Sequence, residues 1–86
     1  MPELCRFYGI IIKMYFDDHD PSHFHAEYAE HSATISIETL AMISGHLPPK
    51  ALGLIAEWAV LHQGELRSAW QKAQRLENPG KIDPLV

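Results

Sequence analysis

Cysteine is scarce in this 86-residue chain, and glycine is not clustered. Cys5 is the single cysteine, so an intramolecular disulfide and a zinc site built from paired cysteines are both excluded. None of the five glycines belongs to a phosphate-binding loop, which argues against a nucleotide enzyme. No apolar run approaches the roughly 18 residues of a membrane span. The apolar run at residues 7–12 lacks a basic leader and a cleavage site, so we expect a cytoplasmic protein.

Basic side chains are rare in the first half of the chain. Residues 1–46 carry two basic and seven acidic side chains, and residues 47–86 carry five basic and four acidic ones, so the balances of −5 and +1 give the net charge of −4. Nucleic-acid affinity comes from clustered lysine and arginine, so direct nucleic-acid binding is not expected. Five of the six histidines lie in the acidic half, which is the most unusual feature of the composition.

The hydrophobic pattern predicts a single α+β domain over residues 1–86. It is a three- or four-stranded antiparallel meander at about residues 5–47, followed by a C-terminal helix or helix pair at about residues 48–76, packed on one face, and a tail at residues 77–86. A chain of this length has room for one hydrophobic core.

Alternation with a period of two defines the predicted strands. Residues 7–16 read as one strand, with Ile10, Ile12, Met14 and Phe16 on the buried face. Two further strands bury Phe24 and Ala26, then Ile35 and Ile37, which turns His23 and His25 outward. A turn at residues 29–32 would place His25 opposite Ser36 and His23 opposite Glu38.

The predicted helical part has two different halves. Residues 50–62 are apolar almost all round, whereas residues 65–76 carry a single apolar stripe, and Gln63-Gly64 between them predicts a break or a kink. The first half has more apolar surface than one thin sheet can cover. We therefore expect a homodimer.

The histidines suggest a divalent-metal site. His23 and His25 share one strand face, His19 lies on the loop before them, and Glu38 is the expected cross-strand neighbour. Imidazoles with a carboxylate suit Zn²⁺, Ni²⁺, Mn²⁺ or Fe²⁺. The alternative interpretation is a polar surface that binds a partner or responds to pH and requires no cofactor.

Two functional hypotheses follow from these residues. The favoured one is a non-enzymatic binding or regulatory module, an antitoxin-like partner of another small protein, with contacts through Tyr15, His23, His25 and Trp70. The alternative is a metal-dependent hydrolase with His19, His23 and His25 as ligands and Glu38 or Glu27 as the base. No catalytic residue is assigned under the favoured hypothesis.

The chain resembles a family of small bacterial proteins catalogued as domain of unknown function 4160. The resemblance covers nearly the whole chain, and its most specific part is His23-Phe24-His25-Ala26 after an Asp-Pro loop. Its other parts are Arg6-Phe7-Tyr8-Gly9-Ile10-Ile11-Ile12, Met14-Tyr15-Phe16, Leu47-Pro48, Trp58, His62, Glu65-Leu66 and Trp70. Ser22 and Gly64 depart from the family pattern. The resemblance implies an accessory protein, sometimes found in toxin–antitoxin-like gene settings, with no established activity.

Overall fold

A hairpin opens the fold. The structure, a computed structural model, describes residues 2–86. β1 (Glu3–Phe7) and β2 (Ile10–Lys13) pair antiparallel around a two-residue turn at Tyr8 and Gly9, both with positive φ (49° and 81°). Glycine at the second turn position makes this left-handed turn accessible. The prediction of one strand over residues 7–16 is therefore wrong. Met14 is buried as predicted, whereas Phe16 is 42% exposed.

The second hairpin joins β3 (His23–Tyr28) and β4 (His31–Ser36). Its turn is Ala29-Glu30, with Ala29 at φ +53°, rather than the predicted four residues 29–32. The shorter turn moves the register by two residues, so His23 pairs with Ser36 and His25 with Thr34. The predicted register is wrong, but a shift by two leaves every side chain on its predicted face.

β5 (Met42–Gly45) completes the sheet, whose strand order is β1-β2-β3-β4-β5. All four pairings are antiparallel, which confirms the meander and corrects its size to five strands. The β4–β5 ladder is irregular because Ile35 pairs with Met42 and Thr34 with Ser44, which leaves Ile43 as an extra residue.

Two helices follow the sheet, which confirms the helix pair. α1 (Pro49–Leu61) begins with proline at its first position, where a missing N–H is not needed. α2 (Gln63–Gln74) begins after a single intervening residue. The break lies at His62, whose φ of −121° and ψ of 21° are not helical, and Gly64 lies inside α2.

The core lies between the sheet and the helices. Trp58 of α1 packs against Phe7 and Phe24, with ring centroids 5.6 and 5.9 Å apart. Of the eight positions predicted to lie on the buried face, all but Phe16 are at most 2% exposed, namely Ile10, Ile12, Met14, Phe24, Ala26, Ile35 and Ile37. The tail adds to this core because Ile82 is buried and the Trp58 indole N–H donates to the Asp83 carbonyl at 2.7 Å. Within residues 2–86, no helix has the length and apolar character needed to cross a membrane.

We predict that Ile35→Ala lowers the free energy of unfolding by about 2–5 kcal/mol, because the substitution leaves a cavity in the core. Val60→Ala is the control, since Val60 is 65% exposed and should change stability by less than about 0.5 kcal/mol. Urea denaturation at equilibrium measures both. Equal midpoints for Ile35→Ala and the parent protein would contradict the core assignment.

Candidate functional site

Asp18, His23 and His25 come together at one end of the sheet. The side-chain ligand atoms of these three residues lie within 4.8 Å of one another. Asp18 Oδ2 lies 2.8 Å from His23 Nε2 and 3.3 Å from His25 Nε2, so one carboxylate oxygen faces both rings. We call this group the Asp-His-His cluster.

The chain brings the cluster together through β3 and the loop before it. His23 and His25 are two residues apart on β3, so both imidazoles leave the same side of the strand, with ring centroids 5.0 Å apart. α2 holds the loop: the Asp17 N–H donates to the Ala73 carbonyl at 3.1 Å, and the Gln74 side chain donates to the Asp18 carbonyl at 2.7 Å.

His23 is buried, contrary to the prediction that both histidines are on the surface. Its side chain is 8% exposed, because Trp70 of α2 covers the ring with a centroid distance of 5.1 Å. The strand pattern places His23 on the outer face correctly, but α2 reaches around the end of the sheet. His25 remains partly accessible, with 23% of its side chain exposed.

The hydrogen bond at His23 Nδ1 determines the protonation of the ring. Nδ1 lies 2.6 Å from the Pro21 carbonyl oxygen. Because a carbonyl oxygen can only accept, Nδ1 carries the proton and donates. In the neutral ring, Nε2 then presents a lone pair to the Asp18 carboxylate at 2.8 Å, where two acceptors would repel each other. A second proton or a metal cation between Nε2 and Asp18 removes this repulsion.

Asp18 is held as a carboxylate by its neighbours. Burial disfavours its charge, but hydrogen bonds from His23 and His25, formed when their Nε2 atoms carry protons, and from the His19 backbone N–H outweigh burial and lower the pKa of Asp18. Burial is the largest influence on His25, and it lowers the pKa of that ring although Asp18 opposes the shift. In the folded protein, the two shifts favour an ionised Asp18 carboxylate and a neutral His25 ring.

The other residues that the sequence predicted for the site are not members of the cluster. His19 has a 93% exposed side chain and contacts the second Asp18 oxygen at 3.3 Å. Glu38 is outside the cluster, because the Arg67 guanidinium holds its carboxylate at 2.9 and 3.1 Å. Tyr15 lies beside the cluster, with its ring 4.3 Å from that of His25. Trp70 is 8% exposed, so its surface is largely used inside the chain.

Asp18 is the one residue of the cluster for which no ligand role is predicted from the sequence. The available signal was a carboxylate in the acidic loop five residues before His23. Three carboxylates share that loop, and the sequence does not indicate which of them turns toward the strand.

Cys5 offers no second chemical site. Burial, with a smaller contribution from Glu3, raises the pKa of the thiol to about 12. The thiol stays protonated near neutral pH and is a poor nucleophile.

The cluster lies in a surface cleft. Besides Asp18, His23 and His25, the cleft is lined by His19, Asp20, Pro21, Thr34, Ile43 and Ser44. The molecule is thus a five-stranded meander with two helices and a His-His-carboxylate cleft beside its third strand.

This chain belongs to the family described as Domain of unknown function (DUF4160), which it matches over residues 9–71. The matched region contains the whole Asp-His-His cluster. No curated protein and no solved structure matches the chain.

Protonation of His25 should make the metal-free protein less stable in mild acid. Its pKa is lower in the folded protein, so the unfolded chain binds this proton more readily. The free energy of unfolding should therefore fall as the pH drops from about 6.5 through the lower folded pKa. We predict a shallower decline for His25→Gln, measured by urea denaturation at about pH 7.5 and 5.5 in the presence of a chelator. Identical declines for the two proteins would contradict the burial of the neutral ring.

Proposed function

We propose that this protein is a small, non-enzymatic module that binds one divalent transition-metal ion through Asp18, His23 and His25. One observation supports this most strongly: the proton on His23 Nδ1 is committed to the Pro21 carbonyl, while Nε2 faces the carboxylate. Metal-bound histidines commonly donate their other ring N–H to a backbone carbonyl, which fixes the tautomer and the ring orientation.

The ligand set determines the class of metal. Two imidazole nitrogens and one carboxylate oxygen suit Zn²⁺, Fe²⁺, Mn²⁺ or Ni²⁺. Ca²⁺ and Mg²⁺ prefer sets made of oxygen ligands, so they fit less well. Zn²⁺ is the natural first probe because it accepts nitrogen and oxygen ligands at short distances without redox chemistry.

We favour a binding module over a hydrolase because of the positions of Glu38 and Glu27, the two carboxylates that the hydrolase hypothesis names as the base. Glu38 is paired with Arg67, and the Glu27 carboxylate lies 3.1 Å from the Lys13 ammonium group. Neither residue lines the cleft that contains the cluster. Glu27 lines a neighbouring depression together with Tyr15 and His25, but its pairing with Lys13 makes it a weaker candidate for the general base.

A regulatory role is compatible with the same geometry. A bound cation would link the loop that carries Asp18 to β3, and so fix the cleft and the adjacent Tyr15. Tyr15 and the accessible part of His25 would then form a partner-binding surface that depends on metal loading. Binding of a ligand to the folded state alone also stabilises a protein, by about 2.7 kcal/mol at 100 times the dissociation constant.

Zinc titration of the untagged protein by calorimetry tests the proposal. We expect one equivalent to bind, and we expect Asp18→Asn and His25→Gln each to weaken binding by more than about 100-fold, since even outer-shell partners of metal ligands contribute 10–100-fold. Because His23 is buried, His23→Gln is interpreted only if its circular dichroism spectrum matches that of the parent protein.

Two controls separate the proposed site from adventitious binding. His31→Gln alters the histidine whose ring lies 5.3 Å from that of His46, and Glu38→Gln alters the carboxylate paired with Arg67. Both should bind zinc like the parent protein. Unchanged affinity in Asp18→Asn and His25→Gln, or an equal loss in His31→Gln, would refute the proposal.

A further inference from the structure

The two edges of the sheet differ in whether another segment of the chain covers them. The outer edge of β1 is covered by the C-terminal segment: the Ile82 N–H donates to the Leu4 carbonyl at 3.0 Å, and Lys81 Nζ donates to the Glu3 carbonyl at 2.7 Å. These contacts occupy backbone acceptors that another strand would need. The β1 edge is therefore protected against strand addition.

The β5 edge has no such cover. In the sheet formed by residues 2–86, β5 has β4 as a neighbour on one side and no strand on the other. All four residues of β5 are exposed, among them Met42 at 38% and Ile43 at 48%. Edge strands are usually protected by charged side chains, yet residues 39–49 contain no Asp, Glu, Lys or Arg. The edge thus combines unpaired backbone groups with exposed apolar side chains.

We propose that β5 pairs with β5 of a second copy of this chain, antiparallel across a two-fold axis. An open backbone edge is complementary to another strand. Because residues 39–49 carry no charged side chain, self-pairing brings no like charges into opposition in any register along this segment.

Symmetry favours a second copy as the occupant. Each chain has one covered edge and one open edge, so pairing through β5 uses the open edge of both copies at once. Such an isologous contact closes as a dimer and leaves no open edge for growth into a filament. The pairing would also shield Met42 and Ile43 from water.

The pairing has a consequence for the cleft. Ile43 and Ser44 line the same cleft as Asp18, His23 and His25. A second copy at β5 would therefore lie at the rim of the metal cleft, and each dimer would carry two clefts on one continuous sheet. The pairing itself depends on backbone groups and does not require that a metal is bound.

Sedimentation equilibrium of the full chain over a range of concentrations, with a chelator present, tests this proposal. We expect a reversible monomer–dimer equilibrium. Ile43→Lys should weaken dimerisation by at least about tenfold, because each copy then brings a charge to the pairing edge. Val60→Lys is the matched control: Val60 is also apolar and is 65% exposed, but it lies on α1. It should leave the dimer intact.

Hydrogen exchange identifies the surface directly. The backbone N–H groups of β5 should exchange more slowly at high than at low protein concentration, and Ile43→Lys should remove that difference while the circular dichroism spectrum stays unchanged. A monomer at all concentrations would overturn the proposal. A dimer that survives Ile43→Lys would overturn it too, and one lost only in Val60→Lys would assign the contact to the α1 face instead.

Discussion

The hydrogen bond from His23 Nδ1 to the Pro21 carbonyl oxygen determines what the cleft can bind. It assigns the ring proton to Nδ1 and turns Nε2 toward Asp18 Oδ2 at 2.8 Å. The lone pair of Nε2 and the Asp18 carboxylate would repel each other at that distance, and a positive charge between them would remove the repulsion. A second proton on Nε2 would give an ion pair, whereas a cation would give the metal site that we propose. The nearby His25 Nε2 would be a third ligand for a cation, whereas a single proton between His23 and Asp18 needs only those two partners.

This arrangement depends on α2 as much as on the sheet. Trp70 covers the His23 ring, and the C-terminal part of α2 holds the backbone of Asp17 and the carbonyl of Asp18. The helix thereby positions the loop that carries the carboxylate and removes water from one side of the histidine. Low water access strengthens the interaction between Asp18 and whichever positive charge it faces. The core around Trp58 and the cleft are thus stabilised by the same layer of helix.

The sequence predicted the faces of the strands better than their pairing. In a strand with one buried face, apolar and polar side chains alternate, so the hydrophobic pattern alone correctly predicts that Phe24 and Ile35 are buried. Turn geometry is decided by a few backbone angles, and the left-handed residues Tyr8 and Ala29 are not marked by composition. Only the local part of the site could be predicted from the sequence. The spacing of His23 and His25 places them together, whereas the approach of Asp18 and the burial of His23 depend on contacts with α2, which lies about 50 residues further along the chain.

Long-range proton–nitrogen NMR of the ¹⁵N-labelled histidine rings tests the central claim most directly, because it reports the state of each ring nitrogen. In the metal-free and in the zinc-loaded protein, His23 Nδ1 should carry a proton. On addition of one equivalent of zinc, the resonances of His23 Nε2 and His25 Nε2 should move to positions typical of metal-bound nitrogen, while those of His31 and His46 stay in place. A His23 ring with an unprotonated Nδ1, or ring nitrogen spectra that zinc leaves unchanged, would contradict the account.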